Sequence, residues 1–125
     1  MLRLSTLFDP RPGGSEAFFH AGRLDFEPER SKEILALVDA VRTVVAIHLE
    51  RPAVIPEIAE RADALLAVYG TSDSALLGVV FGRAHAEGRL PFQPPRSMDE
   101  VRRRRPDVRQ ESSDPVVPFG HALTV

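Results

Sequence analysis

Two stretches of the chain are apolar at nearly every position. TVVAIHL (43–49) is β-branched and DALLAVYG (63–70) almost as continuous, and both read as strands covered on both faces. Around them the apolar residues recur at a helical period. FEPERSKEILALVDAV (26–41) has proline near its start and Ile34, Leu35, Leu37, Val38 and Val41 at helical spacing. PEIAERA (56–62) predicts one or two helical turns opening at Pro56. SDSALLGVVFGRAHAEG (72–88) predicts a longer helix, with Ala75, Leu76, Val79, Val80 and Ala84 on its inner side and Gly88 near its stop. Upstream, residues 2–8 predict a short strand, and DPRPGGS (9–15) is a loop, since proline and glycine both interrupt regular structure.

Strand, helix, strand, helix, strand, helix is the alternation of βαβ units. It predicts an α/β fold with a partial, open, mostly parallel sheet, right-handed crossovers and helices on both faces. The order decays after residue 88. GRLPFQPPRS carries too many prolines for a central strand, and only RLPF in it offers a fourth strand. SMDEVRRRRPDV predicts a short exposed helix with Ser97 and Glu100 as a capping box. QESSDPVVPFGHALTV is a proline-broken tail. The chain therefore reads as one partial α/β domain over 1–125, in which 97–125 form an irregular C-terminal extension.

Length and composition narrow the classes. At 125 residues, 43% hydrophobic and 27% charged, the chain suits one globular domain with a modest core. A net charge of −2 gives no overall pull toward nucleic acid or an anionic membrane, and neither is expected as a partner. No apolar run approaches the ~18 residues of a membrane span, and MLRLSTLFDP lacks the form of a signal peptide, so a soluble protein is expected. The absence of cysteine excludes disulfides and thiolate ligands while leaving the compartment open.

Several motifs invite a chemical reading. YGTSDS lies at a strand-to-helix turn, where a nucleophile elbow would place a serine. The elbow needs G-x-S-x-G, and Ser74 stands where the last glycine should be, so Ser72 reads as a helix cap. His20, His48, His85 and His121 have no metal-ligand spacing, and His48 is expected as a hydrogen-bonded core residue. RRRR (102–105) lacks aromatic partners and reads as a solvated helix face. No G-x-G-x-x-G follows a strand, so no dinucleotide is expected, and neither is any other cofactor or a metal. Carboxylates remain. Glu16, in GGSEAFFHAGRLDF, lies on a glycine-rich loop after the first strand, and open α/β sheets place ligands at such loops.

The order of short motifs is also informative. Arg51-Pro52, Ala62 to Tyr69, Ala75 with Val79-Val80-Phe81-Gly82, Gly88 to Phe92 and the closing Pro118-Phe119-Gly120-His121-Ala122-Leu123-Thr124-Val125 occur in sequence. In this it resembles the C-terminal α/β-sandwich domain of glycoside hydrolase family 3, the β-glucosidase family. The closing motif departs from the family at Ala122, for glycine, and at Val125, for an aromatic residue.

The resemblance implies a truncated chain, the last part of a retaining β-glycosidase that hydrolyses O-glycosyl bonds in β-linked glycosides. The family's nucleophilic aspartate lies in a preceding TIM-like barrel, missing here, so the isolated chain is expected to be inactive. Its acid/base glutamate comes from the sandwich domain. Where some members carry G-E-x-Y-D, this chain has Ser5-Thr6-Leu7-Phe8-Asp9 without glutamate, which leaves Glu16 as the carry-over for general acid/base. The alternative is a carbohydrate-binding or assembly module without catalysis. The family sheet has about six strands and this chain supplies three clear ones, so an uncovered edge and a homo-oligomer are expected, with the tail DPVVPFGHALTV reaching to the partner.

Overall fold

The computed structural model describes residues 1–6, 23–103 and 112–122. Three strands, β1 (Leu2–Ser5), β2 (Val44–His48) and β3 (Ala64–Val68), form a parallel sheet in the order β1-β2-β3. Leu4 stands opposite Ile47, and Ile47 opposite Ala67, so one face of the sheet is continuous across the three strands. β2 is central. Val45, Ala46 and Ile47 are 0%, 2% and 1% exposed, so both its faces are covered, as consecutive apolar residues require.

Alternation along β2 sends Val45 and Ile47 to one side and Ala46 to the other. On the first side lie helices α1 (Pro28–Ala40) and α2 (Pro56–Arg61), whose Ile34, Val38 and Ile58 are buried against Leu4, Val45 and Ile47. Each of these side chains contributes ~1.5–3 kcal/mol by leaving water. Both helices open at proline, whose missing N–H falls where a helix leaves its donors unpaired anyway. On the second side, Leu76 of helix α3 (Asp73–Val80) packs on Ala46 and Val68. The α/β class with helices on both faces is therefore present.

Several local expectations shift. Strand β1 ends at Ser5; Thr6 of the expected strand is already outside it, and residues 7–8 lie outside the described residues. In α1, Leu37 is exposed while Ile34 and Val38 carry the packing, and Val41, also exposed, lies just past the helix. β3 is an edge of the described sheet, not an interior strand, with Ala67 exposed. Beside it Leu65, Ala67, Phe92, Val116 and Val117 line an apolar cavity of about 420 Å³. RLPF does not extend the sheet. Leu90 N–H donates to His121 O and Gly120 N–H to Leu90 O, both at 2.9 Å, so this segment pairs antiparallel with the tail. The described part of the tail thus folds back on its own chain.

Two arginines and a carboxylate fasten the periphery. Arg61 meets Asp39 at 2.9 Å, linking α2 to α1. Arg96 meets Glu60 at 2.8 Å and Asp114 at 3.1 Å, joining α2 to the tail. At the sheet's amino edge Asp63 accepts from the buried Thr43 N–H at 2.7 Å and from Arg42. The Thr43 bond, with Arg42 second, holds its carboxyl below the usual range. Helix α4 (Met98–Arg103) begins as its sequence predicts, with Ser97 Oγ accepting from Glu100 N–H at 3.1 Å. The Glu100 carboxylate reaches one residue further back than a capping box, to Arg96 N–H at 2.8 Å.

The end of α3 corrects the expected stop at Gly88. The helix closes at Phe81, and Gly82 takes φ +66°, in the left-handed region. Gly82 N–H donates to Val79 O at 3.0 Å and Arg83 N–H to Gly78 O at 2.7 Å, the paired bonds of a Schellman cap. A Cβ on Gly82 would meet nothing within 4 Å, so its cost is backbone strain alone. Gly82→Ala should therefore lower stability by ~1–2 kcal/mol, read as a lower urea midpoint at unchanged slope. Gly88→Ala should cost nothing measurable, because Gly88 has no positive φ and open space around it. Equal losses at both glycines would contradict this cap.

Candidate functional site

In a parallel sheet all the strands point the same way, so their carboxyl ends share one edge, and open α/β domains bind ligands there. Here that edge is polar. Thr6 leaves β1, His48, Glu50 and Arg51 leave β2, and Tyr69 to Ser72 lead from β3 into α3. Thr6 N–H donates to His48 O at 3.0 Å, and Thr6 Oγ1 accepts from Glu50 N–H at 3.2 Å. His48 sits at the strand end, half-exposed, with Nε2 3.9 Å from the Glu50 carboxylate. That differs from the buried core position expected of it, because the strand runs out of cover on the α3 side at its last residue. Partial burial raises the Tyr69 phenol.

A short segment closes one end of this edge. Leu24 O accepts from Val54 N–H at 2.9 Å, and Asp25 and Val54 make a parallel bridge. Arg51 donates through Nη2 to Arg23 O. Arg23 itself grips Asp25 with Nε and Nη2, each at 2.8 Å, a two-pronged ion pair. This hydrogen bonding holds the Asp25 carboxyl below the ordinary carboxylate range and raises the Arg23 guanidinium further.

Ser72 is a cap. Its Oγ accepts from Ala75 N–H at 3.3 Å and lies 3.1 Å from Ser74 Oγ. Among the described residues, its hydrogen bonds are those to Ala75 and Ser74, and no histidine joins them as a triad would require. Arg102 meets Asp99 at 2.8 Å on a solvated face, while Arg104 and Arg105 lie outside the described residues. Glu16 and His20 also lie outside them. Among the described residues no three His, Asp or Glu side chains gather as a metal site would require, and no helix is long and apolar enough to cross a membrane. The sequence reading missed Thr6, Arg23 and Asp25. The available signal was the Arg-x-Asp spacing, which in extended chain puts both side chains on one face.

A three-stranded parallel sheet with helices on both faces and a polar carboxyl edge defines an open-sheet α/β domain. The sequence model of the glycosyl hydrolase family 3 C-terminal domain matches residues 19–125, and the chain belongs to that family. It is 45% identical over 124 residues to a protein of Aspergillus oryzae described as probable beta-glucosidase C, covering 99% of this chain and 19% of the relative. Beta-glucosidase C of Emericella nidulans is 44% identical over 123 residues, covering 98% and 20%. The periplasmic beta-glucosidase/beta-xylosidase of Dickeya chrysanthemi is 36% identical over 107 residues, covering 83% and 16%. The chain thus spans about a fifth of the length of these curated relatives. No solved structure matches it at a significant level.

The Arg23–Asp25 pair gives a pH dependence. Because the folded carboxyl sits below its unfolded value of ~3.9, the pair stabilises fully above that value and is lost as pH falls through the lower folded one. Carboxyl-carbon NMR should find the Asp25 midpoint below that of an exposed aspartate, moving up in Arg23→Gln. An Asp25 midpoint indifferent to Arg23 would contradict the pairing.

Proposed function

We propose that this chain is the C-terminal part of a β-glucosidase-type hydrolase, working on O-glycosyl bonds of β-linked glycosides when joined to a catalytic barrel. The observation that carries the reading is the identity to beta-glucosidases along 98–99% of this chain. Retention of configuration needs two carboxyl groups ~5 Å apart, one as nucleophile and one as general acid and then base. We assign the second role to Glu16, in the connection that follows β1. We place the nucleophile in that barrel, as the family resemblance implies; a barrel of ~200 residues or more is larger than this chain.

A mechanism of this kind makes the chain by itself catalytically inert. Purified, it should not hydrolyse aryl β-glucosides, and robust turnover abolished by one substitution within these 125 residues would overturn the reading. In the joined enzyme, Glu16→Ala should slow poor leaving groups by ~10²–10⁴-fold and good ones far less. General acid help matters most where the departing oxygen is basic. Equal loss on both substrate types would assign Glu16 to structure.

The same reading sets the partner of the isolated chain. The outer edges of β1 and β3 have no ladder partner among the described residues, and Val41, Tyr69 and Phe81 are 65%, 52% and 67% exposed. Open edges and apolar surface favour pairing. Burying about 400 Å² of apolar surface would favour association by about 10 kcal/mol before entropic costs. We expect a homo-oligomer at micromolar concentration, most simply a two-fold dimer. Sedimentation as a well-folded monomer would contradict it.

A further inference from the structure

The sequence from residue 7 to residue 22 joins β1 to the segment leading into α1, and Glu16 lies within it. Both ends of this connection are tied to the turn that leaves β2. At the entry, Thr6 N–H bonds His48 O at 3.0 Å and Thr6 Oγ1 accepts from Glu50 N–H at 3.2 Å. At the exit, Val54 N–H bonds Leu24 O at 2.9 Å, and Arg51 donates to Arg23 O. Entry and exit therefore meet consecutive residues, Glu50 and Arg51. Between them Thr6, Arg23, Asp25, Phe26 and Arg51 enclose about 10 Å³, room for about one water.

The residue types suit the task. An arginine keeps its charge and offers several donors on a rigid plane, so one nitrogen can hold a backbone carbonyl while the plane stays fixed. Pro52 disfavours helical backbone at Arg51, which limits the directions in which the side chain can leave the turn. Arg23 is occupied by its two bonds to Asp25, so its guanidinium does not compete for its own carbonyl.

We infer that Arg51 is a positioning residue: it fixes the exit of the 7–22 connection beside its entry at the carboxyl end of β2. The clamp stands on its own geometry; its effect on turnover rests on the role proposed for Glu16. Two measurements separate these. In the 125-residue chain, Arg51→Ala should speed amide exchange at Val54 by roughly tenfold or more. The Leu49 amide, bonded to Val68 O at 3.0 Å, should keep its protection. Arg51→Lys, with a single ammonium, should fall between, and Arg51→Gln replaces the alanine variant if that one unfolds. Unchanged exchange at Val54, or equal loss at Leu49, would overturn the inference.

In the joined enzyme, Arg51→Ala should lower kcat on poor leaving groups by roughly tenfold to a hundredfold, with little change in KM and partial rescue by lysine. If Glu16→Ala shows the leaving-group split and Arg51→Ala does not, positioning is overturned. If Glu16→Ala shows no split, the role of Glu16 fails, and the exchange result alone decides on Arg51.

Discussion

Burial of β2 on both faces is the constraint from which the rest of the molecule follows. A strand with Val45, Ala46 and Ile47 all at or below 2% exposure can meet water on neither side. Its backbone groups must then be paired by neighbours, and β1 and β3 pair them in parallel register. Parallel neighbours need crossovers, and the crossovers here, α1 and α2, supply the cover for the face that carries Val45 and Ile47. α3 covers Ala46 on the other face. Once the strands run in one direction, their carboxyl ends must share one edge. The polar edge is thus a consequence of how the centre of the sheet is buried.

How much of this was legible depended on whether the deciding interaction was local. β2 could be read because its burial is written in consecutive residues. The proline-started helices could be read because Pro28 and Pro56 act on their own first turns. The end of α3 could not, because the apolar period runs on past Gly82. What stops the helix is the left-handed backbone of Gly82 and the two bonds across the cap. β3 looked as buried as β2, since composition reports what a strand can bury and not whether a neighbour is there. RLPF was misplaced for a related reason. Its partner is the tail some thirty residues away, and nothing within RLPF indicates it.

The candidate site divides in the same way. Glu16 came from family resemblance and from its position after the first strand. The supporting polar groups are held by long-range bonds: Thr6 to Glu50, 44 positions apart, and Arg51 to Arg23, 28 apart. Neither has a sequence signature beyond the short Arg51-Pro52 motif. Their placement brings the two ends of the β1–α1 connection together at the carboxyl end of β2. The residue that enters this connection and the residue that leaves it are thus held on adjacent residues of one turn.

Trapping by azide in the joined enzyme tests the central claim most directly. If Glu16 is the acid/base, Glu16→Ala still forms the glycosyl-enzyme from an activated aryl β-glucoside, but water then lacks a base to deprotonate it. Azide needs no deprotonation, so it should restore turnover of the Glu16→Ala protein and give the β-glycosyl azide, with no such product from the unsubstituted enzyme. Failure of azide to accelerate Glu16→Ala, with no glycosyl azide formed, would contradict the assignment of acid/base chemistry to this domain's β1–α1 connection.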